Sequence, residues 1–228
     1  MQKVRSALYV VLSLSLVFAL YFSVKWLKEV GFIPIEVVTL TNKLQYSDPQ
    51  LIKATISEDM KRGFFGLEIG VISQKLRSLP WVVNASVQRC WPNKVKIQIV
   101  ERQPLAIWEA KGVVDTEGRL FFPDSLANIE GVPSFSGAEE SVNEMVDTYL
   151  LMLSKLKPVG LAVRTLELMP DHGWSAMLDN GVTIILGQSE LQERLARFVA
   201  ARDIVGPTED LVVDLRYTNG LAVSRRNS

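Results

Sequence analysis

Residues Leu79 to Trp108 read LPWVVNASVQRCWPNKVKIQIVERQPLAIW, and this stretch decides how the rest of the chain is arranged. Val83, Ala85 and Val87 alternate with Asn84, Ser86 and Gln88; Val95, Ile97 and Ile99 alternate with Lys94, Lys96 and Gln98. A period of two marks strands with one apolar and one wet face. Between them, Trp91-Pro92-Asn93 is turn chemistry: proline withdraws a ladder donor and asparagine tolerates the backbone angles of a tight reversal. The two strands are therefore expected to pair as an antiparallel hairpin.

Upstream of the hairpin, Ile35 to Leu40 reads as a strand. Ser47-Asp48-Pro49 then supplies a helix cap and a first-turn proline, and Leu51, Ile52 and Ile56 give helical spacing before Gly63. A second helix is expected from about Ile69 to Ser78, turning Val71, Ile72, Leu76 and Leu79 inward and ending at Pro80. The order is strand, helix, helix, strand, strand.

Downstream, Arg102-Gln103-Pro104 passes without a flexible linker into Leu105-Ala106-Ile107-Trp108. Val113-Val114-Asp115 and Arg119-Leu120-Phe121 flank the turn Thr116-Glu117-Gly118, and a loop rich in Pro, Gly and Ser is expected from Pro123 to Gly137. Ser141 and Glu144 have capping-box spacing, opening a helix whose Val142, Met145, Val146, Tyr149, Met152, Leu153 and Leu156 form an apolar stripe. Strands are expected at Val163–Leu168, Trp174–Leu178 and Val182–Leu186, the last two joined around Asn180-Gly181. A helix from about Glu190 to Asp203 carries Leu191, Leu195, Phe198, Val199 and Ile204, with Gly206-Pro207 as its stop; strands Leu211–Leu215 and Leu221–Val223 finish the chain. The class is α+β with mostly antiparallel sheets.

The 228 residues are 48% hydrophobic, which excludes intrinsic disorder, and 25 basic residues balance 25 acidic ones. Nucleic acid is an unsuitable partner, because phosphate binding needs a concentrated basic surface. Cys90 is the sole cysteine, so there is no intrachain disulfide and no sulfur-based metal site. His172 is the sole histidine, in the turn-like Pro170-Asp171-His172-Gly173, and reads as an exposed turn residue. Glu167, Asp171 and Asp179 are scattered near strand ends as solvated charges, and neither a nucleophile elbow nor a phosphate-cradling glycine loop appears. No catalytic residue, metal or cofactor is expected.

From Ser6 to Val24 the chain carries no charge and is dominated by Leu, Val and Phe. As a helix rising ~1.5 Å per residue it matches the ~30 Å hydrocarbon core of a bilayer, with Tyr21 and Trp26 where interfacial aromatics belong. The apolar run continues past the small residues a signal peptidase would use, so an uncleaved transmembrane helix over 6–27 is the reading. Lys3 and Arg5 on one side, against Lys25, Lys28 and Glu29 on the other, lean only weakly toward a cytoplasmic N-terminus.

Taken together, Leu79-Pro80-Trp81-Val82, Ala85, Val87, Arg89, Trp91-Pro92, Val95, Ile97, Val100-Glu101-Arg102, Pro104, Ala106 and Trp108 resemble the bacterial FtsQ (DivIB) cell-division family, over almost the whole chain. The resemblance implies a cytoplasmic tail over 1–5, the transmembrane helix over 6–27, a POTRA domain over 33–102 and a β-rich domain over 103–228. It also implies a septal, single-pass inner-membrane scaffold with its C-terminus in the periplasm. There it would bind the periplasmic parts of FtsB and FtsL, and other division proteins through the POTRA domain and the transmembrane helix. In the family the last strand receives FtsB; here that site would be Tyr217, Thr218, Asn219, Gly220, Leu221, Ala222 and Val223, with His172 as a possible neighbour. Tyr217 suits a contact by its rigid amphipathic ring, and a free sheet edge accepts an added strand. Val83, Asn84, Ala85, Ser86, Val87 and Gln88 are the second candidate edge. The alternative is a POTRA-bearing chaperone or assembly factor for exported polypeptides. Such relatives usually precede a membrane barrel, and the second half here lacks a barrel's serial alternating strands of roughly ten residues. A membrane-anchored wall hydrolase using paired acids ranks third.

Overall fold

A computed structural model of the chain describes residues 2–29, 34–205 and 210–225, and of 2–10, 27–29, 37 and 203–205 the backbone only. The chain divides into two units, Met1–Glu101 and Arg102–Ser228.

The first unit opens with helix α1, Gln2–Glu29. Its described side chains, residues 11–26, are all exposed, among them Leu12, Leu16, Phe18, Leu20, Phe22 and Trp26. Among the described residues no helix is long and apolar enough to cross a membrane. The expected span of 6–27 extends beyond 11–26 at both ends, onto positions whose side chains lie outside the described residues, as do those of Lys3, Arg5 and Lys28.

The rest of the unit is β1 (Val37–Leu40), α2 (Pro49–Met60), α3 (Gly63–Gly66), α4 (Ile69–Arg77), β2 (Val82–Cys90) and β3 (Lys94–Glu101). Asp48 caps α2 by accepting from the Gln50 amide at 2.8 Å, with Pro49 in the first turn. The hairpin forms, with Ala85, Val87, Val95, Ile97 and Ile99 buried against Ile52, Ile56, Ile72 and Leu76 of the helices, but Val83, expected on the apolar face, is exposed: the register shifts between Val82 and Asn84, and Val82 takes the buried place. Leu51 and Val71 instead face solvent, because one stripe of each short helix already fills the space over the sheet. The strand order is β1-β3-β2, with β1 parallel to β3, so β2 is an edge.

Two polar side chains complete the ladder where β1 runs out. Asn42 bonds both ways with Ile99, Nδ2 to the carbonyl at 2.8 Å and amide to Oδ1 at 3.2 Å, imitating one further rung. Glu101 accepts from the amides of Gln45 (2.8 Å), Tyr46 (3.1 Å) and Ser47 (2.6 Å). These bonds pin the loop on which Tyr46 stacks against Trp81, ring centroids 4.8 Å apart.

The second unit contains β4 (Pro104–Trp108), β5 (Gly112–Asp115), β6 (Leu120–Phe121), β7 (Ser134–Ser136), α5 (Val142–Leu156), β8 (Val163–Met169), β9 (Gly173–Leu178), β10 (Thr183–Gly187), α6 (Leu191–Val205), β11 (Leu211–Asp214) and β12 (Ala222–Arg225). One nine-stranded sheet has the order β12-β11-β10-β9-β8-β7-β4-β5-β6. Its core sets Trp108, Phe135, Trp174, Ile184 and Val213 against Met145, Met152 and Leu156 of α5 and Leu195 and Phe198 of α6.

Three expectations are corrected or refined by the structure. The second sheet is mixed, not purely antiparallel: five of its eight pairings are antiparallel, as expected of the majority, but β4/β7, β7/β8 and β10/β11 are parallel. For β7/β8 and β10/β11 the reason is that α5 and α6 serve as crossovers between neighbouring strands, a connection that requires parallel pairing; β4 and β7 are joined instead through β5, β6 and the loop after them. The loop expected over Pro123–Gly137 contains β7, whose Phe135 is buried at the middle of the sheet. The Ser141 capping box does not form. A 3₁₀ turn over Glu139–Ser141 holds Ser141 at φ −89, ψ 3 rather than extended, and its side chain makes no capping bond. The expected stop of α6 at Gly206-Pro207, and the side chain of Ile204, lie outside the described residues.

Candidate partner-binding edge

The end of the nine-stranded sheet is built from the core outward. Leu211, Val213 and Leu215 are buried, and the Leu215 amide donates to the Ile185 carbonyl at 2.9 Å, which fastens β11 to β10. Beyond Leu215 the chain turns through Arg216–Leu221 and returns as β12, antiparallel to β11 with Val213 opposite Val223 and Asp214 opposite Ala222. The other side of β12 carries no strand among the described residues.

Tyr217 is 59% exposed and Val223 47%, while Leu221 packs partly into the core. The seven candidate residues are therefore not one strand: only Ala222 and Val223 lie in β12, which continues to Arg225, and the other five form the turn before it. Asparagine and glycine here make the reversal itself, so the ladder begins two residues later.

Charged groups missing from the sequence-derived set hold this turn. The Asp214 carboxylate accepts from the Arg216 amide (3.0 Å), Nε (3.0 and 3.1 Å) and Nη2 (2.6 Å). Those bonds from Arg216 outweigh burial and hold the carboxyl below its usual value. Arg197 of α6 donates from Nη1 to the carbonyls of Tyr217 (2.8 Å) and Thr218 (2.5 Å). Arg194, one turn earlier and buried, donates to the Leu186 carbonyl at 2.5 Å beneath Gly187. The signal for both arginines lay in the helical period, which sets 194 beside 191, 195 and 198 and places 197 three residues on.

His172 is exposed in the turn between β8 and β9. The next residue, Gly173, lies so near the end of β10 that a Cβ there would stand 2.4 Å from the Gly187 carbonyl carbon, and a Cβ on Gly187 would stand 3.1 Å from Arg216 Cγ. His172 is thus at the same end of the sheet as Tyr217, but β9, β10 and β11 separate its turn from β12.

On the β2 edge the six candidates divide by face. Val83, Asn84, Ser86 and Gln88 are exposed, whereas Ala85 and Val87 belong to the core. The Ala85 carbonyl already accepts from Ser73 Oγ of α4 at 2.5 Å, and Arg89 reaches the Leu67 carbonyl, so this edge is partly occupied from within. Among the described residues there is no group of three His, Cys, Asp or Glu able to hold a metal.

Residues 33–102 match the POTRA domain of FtsQ type, and residues 106–216 match the C-terminal region of cell division protein FtsQ/DivIB. The chain is 34% identical to the cell division protein FtsQ of Shewanella oneidensis, over 92% of this chain and 80% of that one. It is 30% identical to FtsQ of Coxiella burnetii over 88% and 82%, and 28% identical to FtsQ of Allochromatium vinosum over 97% and 89%. With both domains matched in order, the chain belongs to the FtsQ/DivIB family of membrane-anchored, non-enzymatic cell-division proteins.

Proposed function

We propose that this chain is a single-pass scaffold of the bacterial division machinery, which captures the periplasmic parts of FtsB and FtsL by adding a strand to β12. In this reading residues 1–5 are cytoplasmic, 6–27 cross the inner membrane, and the POTRA domain (33–102) and C-terminal domain (103–228) stand in the periplasm at the septum. The exposed apolar flank of α1 supports the anchor, since Leu, Val and Phe side chains facing outward suit lipid and not water. The carrying observation is the open, exposed edge of β12 behind a turn clamped by Arg197: its backbone is available for pairing and already ordered. A pre-ordered receptor spares the association part of its entropic cost. The β2 edge serves as a second contact for other division membrane proteins, and α1 for their helices.

The test is binding of the full chain in lipid nanodiscs to the periplasmic segments of FtsB and FtsL. Val223→Glu is the better probe than Leu221→Glu, because Leu221 helps fill the core and Val223 does not. Binding abolished by Val223→Glu and weakened by Tyr217→Ala supports the reading. Equal binding by wild type and variants moves the site elsewhere, and no binding by wild type refutes the partner assignment.

A further inference from the structure

The first unit has an apolar rim that its fold does not use. Trp91, at the tip of the β2–β3 hairpin, is 80% exposed, although a turn of this kind needs only the proline and asparagine that follow it. Phe65 of α3 is 53% exposed. Arg89, two residues before Trp91, donates to the carbonyl of Leu67, two residues after Phe65, so both rings sit at one end of the unit.

That end is where the chain arrives from α1. β1 runs parallel to β3, with Val37 opposite Lys94, and the Glu36 amide donates to the Asn93 carbonyl at 3.2 Å. The entrance to the sheet and the hairpin tip are therefore side by side. By chain length alone Glu36 lies within about 25 Å of Glu29, the last residue of α1. The opposite end of the sheet holds Glu101, where the chain leaves for the second unit.

From this arrangement we infer that Trp91 and Phe65 rest the first unit on the bilayer surface, the indole seated at headgroup depth; the inference relies on the reading of α1 as the membrane anchor. Indole is the side chain best suited to that zone, apolar in its body with one N–H for the wet side. Lys94 and Glu36 flank the tip with opposite charges and the Arg89 guanidinium is turned to the Leu67 carbonyl, so the contact is made by apolar insertion. Seating the tip would limit the swing of the unit about its tether and present the β2 edge at a set height above the membrane.

The experiment uses the full chain with Trp26→Phe in phosphatidylcholine vesicles. Trp81, Trp108 and Trp174 are buried, so the difference between this protein and its Trp91→Phe derivative isolates Trp91. The expected result is a blue-shifted Trp91 signal, lost to a nitroxide carried near the lipid headgroup, spared by aqueous iodide, unchanged by high salt and less quenched by the nitroxide in Phe65→Ser. Quenching by iodide and not by the lipid nitroxide places Trp91 in water and overturns the proposal. Protection from both quenchers means that protein covers the ring, a second copy or a partner, and equally overturns it. If the chain fails to float with the vesicles, the anchor reading falls first and this proposal with it.

Discussion

Arg197 Nη1 is shared between the carbonyls of Tyr217 and Thr218, twenty and twenty-one positions along the chain, and so ties the face of α6 to the turn that leads into β12. A single guanidinium thereby satisfies two acceptors that would otherwise be solvated and mobile. Hydrogen bonds from a charged donor are worth about 1.5–3 kcal/mol each where shielded, and less at a partly exposed site such as this. Arg197→Ala should therefore leave the unfolding temperature nearly unchanged while amide exchange across 217–221 accelerates. If FtsB docks on β12 as proposed, affinity for its periplasmic segment should fall roughly tenfold, the equivalent of about 1.4 kcal/mol. Unaltered exchange in Arg197→Ala would mean that the turn is held by Leu221 and the Asp214–Arg216 pair alone.

Glu101 predicts an acid-labile step in the first unit. Burial pushes its carboxyl up, but the amides of Gln45, Ser47 and Tyr46 together with the Ser47 side chain pull it further down, so it ends below its ordinary 4.5. A carboxyl depressed in the folded state adds stability that is present above its unfolded value and is lost as pH falls through the folded one. Stability should thus decline below about pH 4.5, and in Glu101→Gln the slope there should flatten while stability at neutral pH drops by roughly 1 kcal/mol. Urea unfolding at pH 7 and pH 3.5 checks both; identical slopes for the two proteins would contradict the assignment.

Asp115 is 2% exposed and holds Arg102 at 2.7 Å together with the amides of Glu117 and Arg119 at 2.9 Å each. Removing one member of a buried pair costs about 3–5 kcal/mol, and although Arg102 keeps its place over the Phe121 ring, 5.4 Å from the centroid, the amides of Glu117 and Arg119 lose their acceptor as well. Asp115→Ala should be destabilising by that order. A combined Arg102→Met, Asp115→Leu change should recover part of the loss, because no isolated charge remains. Urea unfolding of the two variants decides it: a double variant no more stable than the single one would show that Asp115 stabilises the unit mainly through the hairpin amides, which both changes remove.

These cases also mark what the sequence could disclose. Alternation in β2 and β3 and the stripe of α5 were legible, because each repeats over several turns or rungs within one segment. β7 was not: three residues after a proline carry no period, and Ser134–Ser136 become a strand only because β4 and β8 supply a ladder on either side. The parallel pairings were hidden too: β7/β8 and β10/β11 depend on which strand a crossover helix returns to, and β4/β7 on a strand that carries no period of its own. At the candidate site a terminal strand was expected from Leu221, and β12 begins one residue later, at Ala222. For Arg197 and Arg194 the helical period gave only their place on α6, and not their role, because their acceptors are backbone carbonyls on other elements whose positions exist only after folding.

Gly173 offers the sharpest stability test at the sheet end shared by His172 and Tyr217. Its φ is +72, and a Cβ there would stand 2.4 Å from the Gly187 carbonyl carbon and 2.6 Å from its oxygen, both backbone atoms that cannot step aside. Gly160 also has a positive φ, +75, but a Cβ on it would meet nothing within 4 Å. Alanine at 160 should therefore cost only the left-handed backbone preference, about 1 kcal/mol, while alanine at 173 adds displacement of β10 and should exceed about 3 kcal/mol. Since Gly187 in turn abuts Arg216, the displacement at 173 should also carry to the β11–β12 turn and, if FtsB docks there as proposed, weaken its binding, which Gly160→Ala should leave untouched. Urea unfolding and affinity measured on the two variants separate strain from crowding. Equal destabilisation by both would show that the approach of Gly173 to Gly187 relaxes without cost.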